Sequence, residues 1–303
     1  MTQPAFSPDW LRDTIADLRV KDVRALGHGL WGPTIDLGDG TVLKLVRQRA
    51  GIGDGLEICG NEARVLAALG GGPLGHLAVP RLVAHATFAA GSPAAAEGYA
   101  AWMRLTRVAS APFSEERLAE LPARERDRFA GSFGESIAVL HQEAAAALAN
   151  ASIPLDDRVH ALLKGLAAAS PTDGGLCAAL TSTLAAAFPA DRRRGFIHGD
   201  FHLSNLLVDE DGLISGVVDF AEAGRGLPEI DLAYLHWFPH IAAAARRSYE
   251  ALAGPIDDVA YNLAGAIYAL TSAVILEQNG EAGAAGGERR LLGTCVEAIG
   301  LAR

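Results

Sequence analysis

Three side chains in the second half of the chain could do chemistry together: Asp200, Asn205 and Asp219. A carboxylate can take a proton from a hydroxyl. An amide oxygen and a second carboxylate are hard donors that suit a hard cation. Together they suit phosphoryl transfer, where the protein positions groups and neutralises charge more than it makes bonds. Their setting is a polar loop from His198, a short apolar strand to Val208, a turn at Asp209-Glu210-Asp211-Gly212, and a second apolar strand from Ile214 to Phe220. Two strands joined by an acidic Gly turn form a β-hairpin, which would gather the three residues near one of its ends.

The segment HGDFHLSN from His198 to Asn205 resembles the H-x-D-x-x-x-x-N catalytic loop of the aminoglycoside phosphotransferase and choline kinase superfamily, distant relatives of the protein kinases. VVDF, Val217 to Phe220, is similar to that family's metal-binding aspartate motif, and GLPEIDLA, Gly226 to Ala233, resembles its following signature. The resemblance implies a protein-kinase-like α+β fold in two lobes, an antiparallel β-sheet lobe with one key helix and a mainly helical lobe. Residues 1–105 would be the N-terminal nucleotide-binding lobe and residues 106–303 the C-terminal catalytic and substrate-binding lobe. It implies ATP or GTP as phosphoryl donor, Mg²⁺, Asp200 as catalytic residue, and Asn205 and Asp219 as metal ligands. Glu222 would face the substrate cleft. Asp231 would be a structural aspartate bonded to the catalytic loop's backbone, with His141 packed behind that loop. His198 and His202 brace the loop, and His202 could also reach substrate.

The elements before the hairpin are consistent with this expectation. Residues 9–20 have an amphipathic helical pattern through Trp10, Leu11, Ile15 and Leu18. A strand from Val23, a loop with Gly27, Gly29 and Gly32, a strand at Thr34 to Leu37, a Gly38-Asp39-Gly40 turn and a strand at Thr41 to Val46 follow. Gly29 and its neighbours would let backbone approach phosphates. A dinucleotide-binding reading of the same glycines needs a helix directly afterwards, and Pro33 denies it.

The chain has three lysines, and Lys44 stands in mid-strand between Leu43 and Leu45. An ammonium there needs a partner. The resemblance supplies the nucleotide's phosphates and a helix-borne carboxylate, Glu62, in the helical run from Asn61 to Leu69. Residues 70–75 stop that helix. Strands follow at Pro80 to Ala86 and Tyr99 to Leu105. By resemblance the chain then crosses near residue 105 and binds adenine through backbone groups of Arg104 and Thr106, with Met103 beside the ring.

From about residue 112 the pattern is helical. Phe129, Phe133, Ile137 and Leu140 form one apolar face. Residues 159–188 and 240–300 continue in helices. Arg192-Arg193-Arg194 reads as solvated surface.

The formal net charge is −10, with about +1 on residues 1–109 and about −11 on residues 110–303. This argues against a nucleic-acid partner, which needs a basic face. An acidic second half favours a small, cationic hydroxyl acceptor. No apolar run reaches the roughly 18 residues that span a membrane, and the start lacks a basic and apolar leader. Cys59, Cys177 and Cys295 have neither disulfide nor metal spacing. The expectation is a cytoplasmic protein with reduced thiols and no membrane partner.

Two other readings use the same residues. H-x-D-x-H can ligate zinc or a metal pair, as in a metallohydrolase, but that needs further ligands and leaves Lys44, Glu62 and Asp219 without a role. A catalytically weak nucleotide-binding regulator would keep the fold. It would be expected to lack one of the lysine, the loop aspartate or the metal aspartate, and all three are present.

Overall fold

The computed structural model describes residues 10, 11, 14, 15, 18, 22–29, 31–48, 54–148, 155–187 and 195–301. The Arg192 to Arg194 cluster and much of the helix expected over residues 9–20 lie outside them. The chain divides into two compact units, Met1–Ser110 with Gly216–Glu222, and Ala111–Ser215 with Ala223–Arg303.

The first unit is built on an antiparallel sheet of five strands: β1 (Arg24–His28), β2 (Pro33–Asp36), β3 (Thr41–Arg47), β4 (Leu82–Thr87) and β5 (Tyr99–Thr106). Their order is β1-β2-β3-β5-β4. Successive strand side chains point to opposite faces. Leu43 and Leu45 join Leu11, Ile15, Leu18, Ile35, Leu37 and Tyr99 in a buried cluster, so Lys44 is presented to the other face. Lys44 pairs across the ladder with Met103.

Helix α1 (Gly55–Leu69) packs against β3, β4 and β5. It starts where the Asp54 side chain accepts from Leu56 N–H at 2.8 Å, the usual device for an orphan N-terminal amide. It stops at Gly70, whose φ of 70° closes the last turn. A short helix, α2 (Pro93–Ala96), precedes β5. Gly216–Glu222 joins this unit partly through Val217 N–H, which donates to the Ala78 carbonyl at 3.0 Å.

The second unit is mainly helical. After the short β6 (Ala111–Pro112) come α3 (Glu115–Glu120), α4 (Ala123–Leu148), α5 (Leu155–Ala169) and α6 (Gly174–Ala187). Strand β7 (Gly195–Ile197) leads to the loop of Asp200. Then come β8 (Leu206–Val208), β9 (Ile214–Val217, where the chain passes into the first unit) and β10 (Gly224–Gly226). Strand β6 pairs with β8, and β10 with β7. The Asp209 to Gly212 turn is closed by Gly212 N–H to the Asp209 carbonyl at 3.1 Å and by Leu213 N–H to Asp209 Oδ1 at 2.9 Å. Helices α7 (Glu229–Leu232), α8 (Pro239–Ala253), α9 (Asp258–Gln278) and α10 (Ala282–Ala298) complete the unit.

The apolar face of α4 is buried as its spacing requires. Phe129, Phe133, Ile137 and Leu140 are all at most 1% exposed, and the Phe133 ring meets Phe201 edge-on at 5.3 Å. Helix α9 is long and apolar enough to cross a membrane by length and composition, which corrects the expectation that no segment qualifies. In this fold it is a core helix: Leu263, Ile267, Leu270 and Val274 share a buried cluster with Leu180, Leu292 and Val296. The three cysteines are buried free thiols.

Helices α4 and α8 cross where α4 has no side chain. A Cβ on Gly134 would stand 2.0 Å from the Ala245 carbonyl oxygen and 2.9 Å from Tyr249 N. Gly134→Ala must therefore push the two backbones apart. It is expected to cost about 1–3 kcal/mol, measured by urea denaturation. An unchanged midpoint would show that the crossing relaxes freely.

Candidate active site

In the first unit, β3, α1 and the returning segment bring three charged groups together. Lys44 Nζ lies 2.6 Å from Glu62 Oε2 and 2.8 Å from Asp219 Oδ1. Burial works against the ammonium, but the Asp219 and Glu62 carboxylates outweigh it and hold the amine above its ordinary value. Burial pushes the Glu62 carboxyl up, and the Lys44 ammonium opposes that.

Two further bonds hold the segment after Asp219 to α1. Phe220 N–H donates to Glu62 Oε1 at 3.3 Å, and Asn61 Nδ2 donates to the Ala221 carbonyl at 3.0 Å. Asp219 has a φ of 67°, the single positive value for a non-glycine among the described residues. An Asp tolerates this conformation better than most residues, yet it still carries strain. The conformation accompanies the contact of its carboxylate with Lys44.

The glycine loop between β1 and β2 folds onto itself. Gly29 N–H donates to the Gly32 carbonyl at 3.0 Å, and Gly32 N–H returns the bond at 3.3 Å. A Cβ on Gly32 would lie 2.0 Å from the Leu45 carbonyl oxygen, so only glycine lets the loop sit this close to β3. The Gly29 amide expected at the phosphates is thus already bonded within the loop.

The adenine-side residues also separate. Met103 is fully buried on the face that carries Lys44. Arg104 lies on the opposite face, where its guanidinium reaches Asp39 Oδ2 at 2.5 Å and Thr41 Oγ1 at 3.0 Å. Its backbone sits between Leu43 of β3 and Ala84 of β4, where main-chain groups serve the ladder. Thr106 N–H donates to the Arg81 carbonyl at 2.9 Å. Arg104 and Thr106, expected to offer backbone groups to a base, thus lie within β5 and at its end, and the Thr106 amide is bonded to Arg81. Glu222 ends the short turn Phe220–Glu222 in the first unit.

In the second unit the loop after β7 carries Asp200, and its hydrogen bonds are dense. Asp200 Oδ1 accepts from the Tyr234 hydroxyl at 2.9 Å. Oδ2 lies 3.1 Å from Asn205 Nδ2 and 3.2 Å from His202 Nε2. Asn205 Nδ2 also donates to the Asp200 carbonyl at 2.9 Å. Burial raises the Asp200 pKa, but His202, His198 and the Tyr234 hydroxyl more than offset it, and the carboxyl is held below its ordinary value.

Behind the loop, Asp231 is completely buried. Its Oδ1 accepts from Gly199 N–H at 2.7 Å. Its Oδ2 accepts from His198 N–H at 2.8 Å and meets His141 Nε2 at 2.9 Å. Asp231 and His141 thus hold the loop as the motif reading expected. Tyr268 adds a bond from its hydroxyl to the Gly199 carbonyl at 2.6 Å.

The structure brings Asp200 to Asn205 in one unit and Lys44 to Glu62 and Asp219 in the other. Tyr234 and Tyr268 were not singled out from the sequence. Their one signal is aromatic residues close after Asp231 and in an apolar helix, which ordinary core packing also produces. Among the described residues no three His, Cys, Asp or Glu side chains are grouped to hold a metal. His236 and His240, four apart in sequence, fall in different elements, the turn Ala233–Trp237 and α8, where His240 follows the opening Pro239. The metallohydrolase reading therefore lacks its ligand set among these residues.

A two-unit α+β architecture with a lysine–glutamate pair on sheet and helix and an aspartate–asparagine loop defines the protein-kinase-like class. The model of the phosphotransferase enzyme family, known as APH, matches residues 22–262, and the chain belongs to that family. No curated protein sequence matches the chain.

Among solved structures, the GDP complex of wild-type aminoglycoside 2'-phosphotransferase-IIIa is similar, with a TM-score of 0.63, 18% identity, and coverage of 94% of this chain and 95% of that one. The gentamicin complex of APH(2")-IIa gives 0.60 at 15% identity, covering 97% and 95%. A thermostable APH(4)-Ia variant in ternary complex with ADP and hygromycin B gives 0.61 at 18% identity, covering 92% and 94%.

The buried Asp231 satisfies two loop amides at once. Removing it strands them, and Asp231→Ala is expected to lower folding stability by about 3–5 kcal/mol. Urea denaturation checks this, and a loss below about 1 kcal/mol would mean the amides find other partners.

Proposed function

We propose that this phosphotransferase moves the γ-phosphoryl group of ATP or GTP to a hydroxyl of a small, amine-bearing acceptor, in the cytoplasm. The observation that carries the reading is the Asp200 carboxylate, fixed by Asn205, His202 and Tyr234 and held ionised, in the family's catalytic loop. Asp200 accepts the hydroxyl's proton or orients the attacking oxygen. Lys44, oriented by Glu62, clamps the phosphates of the nucleotide, and Met103 packs beside its base. The acidic charge of residues 110–303 and Glu222 favour a cationic acceptor.

Each of the two expected ligands, within its own unit, has an oxygen that suits Mg²⁺. Asn205 uses its amide nitrogen on Asp200, so its carbonyl oxygen is the atom left to ligate. Asp219 binds Lys44 through Oδ1, and its side chain is 37% exposed, which leaves Oδ2 for a hard cation. When bound, Mg²⁺ supplies charge neutralisation at the phosphates. The protein's own part is to hold the acceptor oxygen against Asp200, keep Lys44 charged, and fix the loop through Asp231.

The test is ADP or GDP release with Mg²⁺ against aminoglycosides, choline, homoserine, sugars and macrolides. Acceptor-dependent release is expected, falling by about 10²–10⁴-fold in Asp200→Ala and abolished by chelation of the metal. Nucleotide binding should persist in that variant. Equal turnover in Asp200→Ala would remove Asp200 from catalysis. Nucleotide binding with no transfer to any acceptor would favour a regulator of the same fold.

A further inference from the structure

The hydrogen bonds at Asp200 are asymmetric. Each carboxylate oxygen offers two acceptor sites. Oδ2 is engaged twice, by Asn205 Nδ2 at 3.1 Å and His202 Nε2 at 3.2 Å.

The second of these bonds depends on a tautomer, which the other nitrogen decides. His202 Nδ1 accepts from Ser204 N–H at 3.2 Å and lies 2.6 Å from Ser204 Oγ. With Nδ1 accepting, the ring proton sits on Nε2 and faces Asp200. The 3.3 Å separation of Asn205 Nδ2 and His202 Nε2 then follows from two donors sharing one oxygen. Oδ1 is engaged once, by the Tyr234 hydroxyl at 2.9 Å. Among the described residues, one of the four acceptor sites remains, and it lies on Oδ1 beside that hydroxyl.

Tyr234 is built to stay a donor. Burial first, and then the Asp200 charge, push its phenol far above the usual range. Its ring is clamped by Tyr268 at 5.4 Å, Trp237 at 5.6 Å and His202 at 5.3 Å. The outer members are tied in turn: Tyr268 to the Gly199 carbonyl at 2.6 Å, and Trp237 Nε1 to Glu288 at 3.0 Å. Tyr234 also lies in the turn Ala233–Trp237 directly after α7, which carries Asp231. The same short segment therefore grips the loop from behind through Asp231 and touches the carboxylate through Tyr234.

We infer that Tyr234 is a positioning residue: it fills one acceptor site of Asp200 Oδ1, directs the acceptor hydroxyl to the other, and so selects which hydroxyl receives the phosphoryl group. This rests on the phosphotransferase reading above. Chemically, the hydroxyl oxygen forms its bond to the γ-phosphorus, the bond from that phosphorus to the bridging oxygen breaks, and the diphosphate leaves. The hydroxyl proton passes to Oδ1.

The test compares wild type with Tyr234→Phe, which keeps the ring and removes only the donor. Three quantities are read: nucleotide affinity with a fluorescent nucleotide analogue, slow nucleotide hydrolysis by water without acceptor, and transfer to an acceptor with several hydroxyls, its product isomers resolved by phosphorus NMR. In Tyr234→Phe, kcat for both reactions is expected to fall by about tenfold to a hundredfold. The nucleotide Kd should be unchanged, and a second phosphorylated isomer should appear.

Rates within about twofold of wild type and the same single isomer would overturn the inference while leaving the phosphotransferase reading intact. A fall in kcat matched by an equal fall in the nucleotide-binding fraction is loss of fold and would overturn it too. Wild-type protein that neither hydrolyses nor transfers overturns the phosphotransferase reading, and the inference with it.

Discussion

An ammonium group taken largely out of water has to be neutralised, and the first unit is arranged around that need at Lys44. Its two carboxylate partners come from segments far apart in the chain, Glu62 on α1 and Asp219 on the returning segment. Removing one partner of a buried ion pair leaves an uncompensated charge, which costs far more than the pair itself contributes. The helix, the strand and the return are therefore interdependent. The positive φ of Asp219 and the bonds from Phe220 and Asn61 are consistent with that dependence.

The second unit solves a different problem. The loop from His198 to His202 lies outside helix and strand, so no ladder holds it. Here Gly199 and His198 give their N–H groups to Asp231 instead. Asp231 is itself held by His141 from α4. The result is a loop fixed from behind by charge-assisted bonds, which are shorter and stronger than neutral ones. Loops positioned by a rigid scaffold are where function concentrates, and the helices of this unit supply that scaffold.

Much of this was legible in residues and spacing. Alternation in β3 announced Lys44 as a misfit among leucines, and Gly70 marked the end of α1. Phe129, Phe133, Ile137 and Leu140 drew one buried face. The order of the loop, hairpin and Asp231 motifs pointed to a single family. Local composition does not say where a backbone group is bonded. Gly29 has the freedom to meet a phosphate, but its amide is bonded to Gly32. Arg104 and Thr106 lie in β5 between β3 and β4, where Arg104 pairs with Leu43 and Ala84 and Thr106 with Thr41.

The sequence by itself determined which elements form and which residues are candidates for the chemistry, because periodicity, turn residues and an uncommon lysine act locally. Only the tertiary structure decided that Asp219 joins Lys44 and Glu62. It also decided that Met103 shares Lys44's face while Arg104 does not, and that Tyr234 donates to Asp200. Each of those is a contact between residues remote in the chain, or a choice between two faces of a strand. Such outcomes depend on strand order and register, and a one-residue change of register reverses every face.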